Sequence, residues 1–319
     1  MKTAVVTGGV GFIGSHLCEA LIKKGLKVIC IDNLITGSEK NIKHLLKNLP
    51  AQAGKNFKFL KQDVTKDLDL NLDLDYLFHL ASPASPYDFQ SLAEEIALAN
   101  SLGTIKMLEL ARKTRARFLL GSTSEVYGDP KEHPQKETYY GNVNSHGPRS
   151  CYDESKRFGE AMTYIYLRKY RLDARVMRIF NTYGPRMRKD DGRAVSNFIN
   201  QAIRGKPITV YGKGSQTRSF CYVDDMVEGL MAAMFSEKAK GEVINLGNPE
   251  EYNILDLAEK IKKMTGSKSK IVFSDIPPDD PMRRQPDISK AKKLLDWSPK
   301  VLLTQGLKKT IEYYKSVKM

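Results

Sequence analysis

The chain has 319 residues, a formal net charge of +14, 41% hydrophobic residues and 28% charged residues. This balance is typical of globular proteins and excludes a disordered or fibrous chain. At roughly 150 residues per domain, the length allows two domains or one enlarged α/β domain. The excess of basic residues is compatible with plain solubility or with an anionic partner, either nucleic acid or a small substrate in a basic cleft.

The amino-terminal segment and the cysteines bear on the compartment. The uncharged stretch Thr3–Ser15 contains four glycines and is shorter than a membrane span, which needs ~17–25 apolar residues. It has no small-residue cleavage site after an apolar run, so we predict neither a signal peptide nor an anchor. The four cysteines, Cys18, Cys30, Cys151 and Cys221, do not occur in CxxC pairs. The sequence therefore predicts neither a disulfide framework nor a zinc site. We therefore expect a cytoplasmic protein without a metal site.

Short apolar runs alternate with helical patterns in the first half of the chain. We predict strands at Thr3–Thr7, Lys27–Ile31, Phe57–Gln62, Tyr76–Leu80, Phe118–Leu120 and Val176–Phe180. We predict helices at Ile13–Lys24, Leu92–Lys113 and Tyr152–Arg171. This alternation predicts an α/β fold with a Rossmann-like, doubly wound parallel sheet covered by helices on both faces.

The alternation of strands and helices ends at about residue 182, and shorter predicted helices separated by glycine and proline follow. We assign residues 1–181, with about 218–246, to the larger Rossmann domain. Residues 182–217 and 247–319 form a smaller, carboxy-terminal domain on the substrate side, interleaved with the first.

A glycine-rich segment follows the first predicted strand. Gly9, Gly11 and Gly14 fit G-x-G-x-x-G, and Gly8 with the last two fits a G-x-x-G-x-x-G variant. Such glycines permit a tight turn and let the backbone approach a pyrophosphate at a helix N-terminus. The strand before the motif and the helix after it give the signal its specificity. We predict a dinucleotide site, with a purely structural turn as the alternative.

Two acidic residues follow the next two strands. Asp32 ends the second strand, 18 residues after Gly14, close to the ~20 typical of a carboxylate that binds the adenosine ribose. A carboxylate there repels a 2′-phosphate and favours NAD over NADP. Asp63 follows the third strand and either meets the adenine edge or caps the strand.

Tyr152 and Lys156 lie four positions apart on a predicted helix, so they share one face. A free tyrosine has a pKa of ~10, and a nearby ammonium favours the phenolate. Such a tyrosine can take a proton from a substrate hydroxyl while hydride leaves for nicotinamide. A Y-x-x-x-K pair alone is not specific, but together with the glycine motif and Asp32 it indicates dehydrogenase chemistry.

Further candidates lie in loops. The segment Ser122–Gly128 follows the fifth strand, where ligands bind in open α/β sheets, and Glu125 is a candidate acid or base. A helix cap or turn is the alternative for that segment. Arg193, Arg218 and Arg284 are also candidates, because a guanidinium can bind phosphate or carboxylate through two parallel hydrogen bonds. Each of these arginines is equally compatible with a solvent-exposed loop position that binds no ligand. We interpret His79 and Trp297 as packing residues.

Longer strings extend over nearly the whole chain. They are His79–Pro86 (HLASPASP), Ser122–Pro130 (STSEVYGDP), Gly147–Glu154 (GPRSCYDE), Arg178–Thr182 (RIFNT), Gly184–Met187 (GPRM), Asp191–Arg193 (DGR), Val195–Ile199 (VSNFI), Val210–Gly212 (VYG), Gln216–Arg218 (QTR) and Asn245–Glu250 (NLGNPE). With them the chain resembles the extended short-chain dehydrogenase/reductase superfamily and, within it, the UDP-glucuronate decarboxylases.

The resemblance implies an NAD-dependent reaction that converts UDP-glucuronate to UDP-xylose. Hydride leaves carbon 4 of the sugar, carbon dioxide departs from the resulting β-keto acid, carbon 5 is protonated, and the retained NADH reduces the ketone. Related alternatives are a decarboxylase that releases the 4-keto pentose, a 4-epimerase, or a 4,6-dehydratase acting on another sugar nucleotide.

The resemblance also implies roles for individual residues. Tyr152 would be the base at the 4-hydroxyl, with Lys156 lowering its pKa and holding the nicotinamide ribose. Thr123, Ser124 and Glu125 would contact the sugar, with Glu125 assisting proton transfer. Arg284 would face the sugar carboxylate, and the UDP portion would meet Asn181, Arg193, Tyr211 and Arg218. The expected NAD-binding set is Gly8, Gly11, Phe12, Ile13, Gly14, Asp32, Asn33, Thr36, Gly37, Asp63, Val64, Leu80, Ser82, Ala99, Ser122, Tyr152 and Lys156.

Two positions separate this chain from relatives. A 4,6-dehydratase carries Asp-Glu after the threonine where this chain has Ser124, and a 4-epimerase usually has a small or hydroxyl residue in place of Glu125. The resemblance also implies a lysine near the substrate where this chain has Leu98, which affects the sugar acid accepted or the rate of decarboxylation.

Partners follow from the same resemblance. We expect a UDP-sugar substrate and a homodimer formed through helices that include Leu92–Lys113 and Tyr152–Arg171, with no membrane contact. A nucleotide-sensing regulator or a nucleic-acid-binding protein is the alternative from another class. No recognition helix, ribonucleoprotein aromatic stripe or zinc finger supports it.

Overall fold

The structure is a computed structural model that describes residues 1–47, 56–68 and 73–317. Its strands are β1 Thr3–Thr7, β2 Lys27–Asp32, β3 Phe57–Lys61, β4 Tyr76–His79, β5 Arg117–Thr123, β6 Ala174–Ile179, β7 Thr182–Tyr183, β8 Ile208–Tyr211, β9 Thr217–Ser219, β10 Cys221–Tyr222, β11 Val243–Leu246, β12 Glu251–Asn253, β13 Ile271–Ser274 and β14 Arg283–Arg284. Its α-helices are α1 Phe12–Lys23, α2 Lys43–Lys47, α3 Ala93–Leu98, α4 Thr104–Thr114, α5 Ser150–Tyr170, α6 Ala194–Ile203, α7 Val223–Phe235, α8 Ile254–Thr265, α9 Ser289–Leu295 and α10 Leu303–Ser316.

A seven-stranded sheet in the order β11-β6-β5-β4-β1-β2-β3 forms the centre of the fold, and all its neighbouring strands are parallel. The strand order reverses direction between β1 and β4, which opens a crevice at the carboxyl ends of the strands. The predicted Rossmann-like α/β fold is therefore confirmed.

The two faces of the sheet carry separate apolar clusters, because successive side chains of a strand point to opposite faces. Val5 of β1 packs in one cluster with Leu108 of α4 and residues of α5. Val6 packs in the other cluster with Leu17 of α1 and residues of α7. Helices thus cover both faces, as a parallel sheet requires.

Smaller sheets lie outside the central one. β7 pairs with β10, β8 pairs with β13, and β9 lies between β12 and β14. These strands come from the later part of the chain, whereas β11 joins the central sheet beside β6. The division into domains at 181, 218 and 246 stays a prediction.

The region predicted as one helix over Leu92–Lys113 contains a break. α3 ends at Leu98, Ala99–Gly103 form a π-helical turn, and α4 then begins. The Asn100 amide donates to the Ser155 hydroxyl of α5 at 3.1 Å, and the Asn100 carbonyl accepts from Thr104 Oγ1 at 2.6 Å. π-helical turns are frequent at functional sites.

His79 is 2% exposed, and its Nδ1 and Nε2 lie 2.8 Å and 3.2 Å from the hydroxyls of Thr7 and Thr104. The packing interpretation fits this position, since the ring joins β1, β4 and α4. Burial lowers the pKa of His79 to about 3. Trp297 is also buried, and its indole N–H donates to the Asp225 carbonyl.

We expect His79 to make the protein less stable in acid. The unfolded chain takes up a proton near pH ~6.5, but the folded chain does not, so stability falls as the pH decreases below about 6.5. This histidine should contribute up to about 1.4 kcal/mol per pH unit between about pH 6.5 and 4. Urea unfolding of His79→Gln should show a shallower acid slope than the wild type, with exposed His146→Gln as the control. Equal slopes in all three proteins would contradict the assignment.

Candidate active site

A cavity of about 580 Å³ lies at the carboxyl ends of the central strands. Among the predicted residues, the cavity wall includes the whole NAD-binding set, the sugar-contacting segment Thr123–Glu125, and Asn181, Arg193, Tyr211 and Arg218. Arg284 is not part of this wall. The topology therefore brings residues from distant parts of the chain to one site, at the position where open α/β sheets bind ligands.

The glycine loop forms a cradle between β1 and α1. Gly8 has φ +70°, and a Cβ on it would lie 2.9 Å from Ala81 Cα. A Cβ on Gly14 would lie 2.1 Å from the Gly8 oxygen. Gly9 instead packs against Cys30 Sγ, so the spacing Gly8, Gly11 and Gly14 describes the cavity side of the motif. These glycines let the backbone of the loop pack closely on itself and on Ala81, and the loop leads into a helix N-terminus of the kind that binds a pyrophosphate.

Asp32 lies at the end of β2 and is 8% exposed. It accepts hydrogen bonds from the backbone N–H groups of Val10 at 3.2 Å and Leu34 at 2.9 Å. Burial raises its pKa, and these backbone donors oppose the rise. The carboxylate is thus fixed next to the glycine loop, which fits the predicted ribose contact.

Asp63 serves at least a structural purpose. Its Oδ1 accepts from the Thr65 N–H and hydroxyl, both at 2.8 Å, and its Oδ2 accepts from the Asn33 amide at 2.9 Å. Burial acts to raise its pKa, but these donors outweigh it and lower the pKa. The capping interpretation fits these bonds, while Asp63 also lies on the cavity wall.

Tyr152 and Lys156 both face the cavity from α5 and are 6% and 5% exposed. Lys156 Nζ donates to the Gly121 carbonyl at 2.9 Å and lies 5.7 Å from the centre of the Tyr152 ring. The Tyr152 ring stacks on Phe89, with 5.1 Å between centroids. The two side chains therefore share a face, as the spacing predicts.

The protonation of this pair differs from the expectation. Burial raises the pKa of Tyr152 to about 12, although a hydrogen bond with Thr123 opposes the rise. Burial also lowers the pKa of Lys156 to about 8, with the charge of Glu160 opposing. Burial therefore outweighs any lowering of the Tyr152 pKa by Lys156, whose ammonium donates to the Gly121 carbonyl.

Glu125 lies in the short turn after β5 and bonds to two arginines. Its Oε2 accepts from Arg149 Nη2 at 2.5 Å, and its Oε1 accepts from Arg284 Nη1. Burial acts to raise the pKa of Glu125, but the charges of Arg284 and Arg149 outweigh it and lower the pKa. Glu125 is therefore held as a carboxylate on the cavity wall.

Arg284 lies behind this wall rather than facing the cavity. It is 1% exposed, and its Nη2 donates to the Gly128 carbonyl at 2.6 Å. Its Nη1 is 3.3 Å from Ser124 Oγ. The resemblance implies that Arg284 faces the sugar carboxylate, but here the Glu125 carboxylate and the Gly128 carbonyl hold its guanidinium.

The arginines expected at the nucleotide are present on the wall and paired with acids. Arg193 Nη2 donates to Asp191 Oδ2 at 2.7 Å, and Arg218 Nη2 donates to Asp280 Oδ2 at 2.9 Å. Pairing compensates the charge of the half-buried Arg193 and of the buried Arg218 until an anion arrives. These two pairs are suited to exchange their carboxylates for phosphate oxygens.

Other wall residues were assigned no role from the sequence. Arg149 and Phe89 line the cavity beside Glu125 and Tyr152. The string Gly147–Glu154 contains Arg149 three positions before Tyr152. Its contact with Glu125 could not be predicted, because the two residues are far apart in the sequence. Leu98 also lies on the wall and is 42% exposed, so the cation that the resemblance implies is replaced by an apolar side chain.

Two negative findings concern the described residues alone. Within residues 1–47, 56–68 and 73–317, no three His, Cys, Asp or Glu side chains converge as metal ligands would. In the same ranges, no helix combines the length and the apolar character needed to cross a membrane.

The chain is similar to known proteins over nearly its full length. The family model described as GDP-mannose 4,6 dehydratase matches residues 5–310. UDP-glucuronic acid decarboxylase 1 of Danio rerio is 49% identical over 313 residues, covering 98% of this chain and 72% of that protein. UDP-glucuronic acid decarboxylase 1 of Arabidopsis thaliana is 50% identical over 312 residues, covering 98% of this chain and 69% of that protein.

A solved structure extends the similarity to the fold. UDP-glucuronic acid 4-epimerase from Bacillus cereus, in complex with UDP-glucuronic acid and NAD, has a TM-score of 0.88 and 33% identity, covering 99% of this chain and 100% of that chain. The sequence strings, the cavity and these relatives agree. The chain therefore belongs to the UDP-glucuronic acid decarboxylase family, within the extended short-chain dehydrogenase/reductase superfamily.

Proposed function

We propose that this protein is an NAD-dependent decarboxylase that converts UDP-glucuronate to UDP-xylose. The observation that carries the proposal is the pairing of a dehydrogenase couple, Tyr152 and Lys156, with a buried, arginine-held carboxylate at Glu125 on the same cavity wall. The couple serves oxidation at carbon 4. The carboxylate is the group that the subsequent proton transfer at carbon 5 requires.

The residues present fit NAD. The glycine cradle at Gly8 and Gly14 would hold the pyrophosphate, Asp32 the adenosine ribose, and Lys156 the nicotinamide ribose. When bound, the oxidised cofactor supplies a hydride acceptor and a positive charge. The positive charge is relevant because burial keeps Tyr152 protonated in this structure, and an added cation favours the phenolate.

The chain's own residues then move protons and hold charge. Tyr152, hydrogen-bonded with Thr123, accepts the proton of the 4-hydroxyl as that carbon is oxidised to a ketone. The carbon–carboxylate bond breaks, its electron pair enters the ketone as an enolate, and carbon dioxide leaves. The step at carbon 5 consumes one proton from solvent, which the Glu125 carboxylate takes up transiently and passes to carbon 5, so that Glu125 returns to its carboxylate form. Tyr152 returns its proton to the carbon 4 oxygen when the retained hydride re-reduces the ketone.

Incubation with UDP-glucuronate and no added NAD tests the function. We expect release of carbon dioxide and conversion of the nucleotide sugar to UDP-xylose by mass spectrometry. Loss of water in place of carbon dioxide would make the protein a dehydratase. An unchanged mass with an altered sugar configuration would make it an epimerase, and a product that lacks two further hydrogens would indicate release of the 4-keto pentose.

Asp32 should determine the choice of cofactor. Its fixed carboxylate repels a 2′-phosphate, so Asp32→Ser should reduce the preference for NAD over NADP by at least about tenfold. The serine retains a hydrogen-bond acceptor for the nearby backbone N–H groups. Fluorescence titration of cofactor-stripped protein with both dinucleotides would measure the ratio, with UDP binding as the control. An unchanged ratio would remove Asp32 from the ribose site.

We also propose a homodimer formed through α4 and α5 and the π-turn between α3 and α4. Apolar side chains are exposed on the π-turn (Leu102) and on α5 (Phe158, Tyr164 and Ile165), next to α4. A second copy of the chain would cover them. Sedimentation should show a dimer, and Ile165→Glu should shift it to the monomer, whereas a wild-type monomer would contradict the proposal.

A further inference from the structure

Arg149 has no part in the function proposed above, although its guanidinium lies on the cavity wall beside Glu125. The residue immediately precedes α5 and is 9% exposed. Its Nη2 donates to Glu125 Oε2 at 2.5 Å. Its guanidinium also lies over the ring of Phe89, 5.4 Å from the centroid, and that ring stacks on Tyr152. The Arg149 side chain is therefore fixed between the two reactive groups of the site.

Arg149 and Arg284 bond to opposite oxygens of Glu125. Arg284 lies behind the wall and donates a hydrogen bond to Oε1 of Glu125 and another to the Gly128 carbonyl. Arg149 takes Oε2 from the cavity side. A carboxylate bonded at both oxygens cannot rotate about its terminal bond, whereas one held only by Arg284 leaves Oε2 free.

Charged and titratable groups on several elements face Glu125. They are Arg149 before α5, Tyr152 and Asp153 in α5, Arg218 in β9 and Arg284 in β14. Asp280 Oδ2 accepts from Arg218 at 2.9 Å, and Asp280 Oδ1 lies 3.8 Å from Arg149 Nη1. The charge of Arg218 is thus largely taken up by Asp280. Arg149 keeps its short contact with Glu125.

We propose that Arg149 is a positioning residue that holds the Glu125 carboxylate from the cavity side, in the orientation from which it acts on the sugar. For the reaction itself this rests on the proposed function. The hydrogen bond between Arg149 and Glu125, however, is present without substrate and can be tested without turnover. Removing the Arg149 cation should raise the pKa of Glu125, since an adjacent opposite charge lowers a carboxyl pKa by about 1–3 units.

The first test is an infrared pH titration of the whole, substrate-free protein. The titration uses the Asp153→Asn background, because Asp153 is a neighbouring buried carboxyl whose protonation depends on the charge of Glu125. In that background the Glu125 band is identified by its loss on Glu125→Gln. In Arg149→Gln this band should appear at a pH about one unit or more above that of the wild type. In Arg149→Lys, which keeps the charge, it should stay near the wild-type position. Appearance at the wild-type pH in Arg149→Gln would overturn the proposal, whether or not the protein decarboxylates UDP-glucuronate.

The second test separates positioning from substrate binding. Arg149→Gln should lower kcat about tenfold or more, as expected for a lost charged hydrogen bond, with KM for UDP-glucuronate within about twofold. Arg149→Lys should recover part of kcat, because lysine keeps the positive charge but lacks the planar guanidinium with its fixed set of donors. The control Arg168→Gln removes an exposed guanidinium from α5 and should change neither constant.

Contrary outcomes of the kinetic test are equally definite. A raised KM with unchanged kcat would assign Arg149 to substrate binding and overturn the positioning role. If Arg149→Gln does not fold, Arg149→Lys tests the positioning role instead. Wild-type kcat in Arg149→Lys would show that the planar guanidinium is not needed to position Glu125, and would contradict the proposal. In the Glu125→Gln background, Arg149→Gln should cause no further loss, and a full second loss would contradict action through Glu125.

Discussion

Tyr152→Phe should slow hydride transfer about 10³-fold while leaving UDP binding nearly intact. The hydroxyl is the group that takes the proton from the sugar, and a positioned acid–base group contributes about 10²–10⁴-fold to a rate. The phenylalanine keeps the stacking on Phe89, where the ring centroids lie 5.1 Å apart, so the fold around the site should survive. We therefore expect a loss of about 10³-fold in the single-turnover formation of reduced nicotinamide, followed by absorbance.

A matched control is available on the same helix. Tyr164 is 62% exposed, and Tyr164→Phe removes an equivalent hydroxyl far from the cavity wall. It should retain wild-type hydride transfer. Calorimetric titration with UDP should give similar affinities for all three proteins. Wild-type turnover in Tyr152→Phe would remove Tyr152 from the proposed role.

Arg284→Ala should weaken decarboxylation far more than it weakens the binding of UDP. The side chain bonds to Glu125 and Gly128 and is 1% exposed, so its removal leaves a buried acceptor and half of the carboxylate unpaired. We expect a loss of about 3 kcal/mol in the free energy of unfolding, typical of a broken buried ion pair. The rate of carbon dioxide release should fall about 100-fold, because the acid–base group Glu125 loses the arginine that holds one of its oxygens.

The neighbouring arginine provides the control for this experiment. Arg283 is exposed and lies next to Arg284 on β14, so Arg283→Ala removes the same charge from the same strand. It should change neither the unfolding free energy nor the rate by a measurable amount. Equal losses of UDP affinity and decarboxylation in Arg284→Ala would instead make Arg284 a clamp for the diphosphate.

Much of the fold could be predicted because its signals are local. Apolar runs and glycines specify β1 with the bounds observed, and α5 begins two residues before the predicted start. The order of strand, glycine loop, helix and acid places Gly8 and Asp32 at one edge of the sheet without knowledge of any distant contact. The predicted NAD-binding residues therefore line one cavity.

The remaining features depend on contacts between distant segments. The π-turn at Ala99–Gly103 lies against α5, where Asn100 donates to Ser155, and no local pattern reports that contact. The position of Arg284 depends on β14 pairing with β9, which no local pattern specifies. The raised pKa of Tyr152 follows from burial, which a spacing of four residues does not report. Long-range packing and desolvation thus account for what the sequence alone did not show.

The central claim is that hydride leaves carbon 4 of the sugar and returns to the same carbon before release. UDP-glucuronate carrying deuterium at carbon 4 tests it most directly, with the product analysed by nuclear magnetic resonance. We expect UDP-xylose that retains the deuterium at carbon 4, formed without added NAD and without exchange with solvent. Decarboxylated product that carries hydrogen at carbon 4, or none formed at all, would contradict the account.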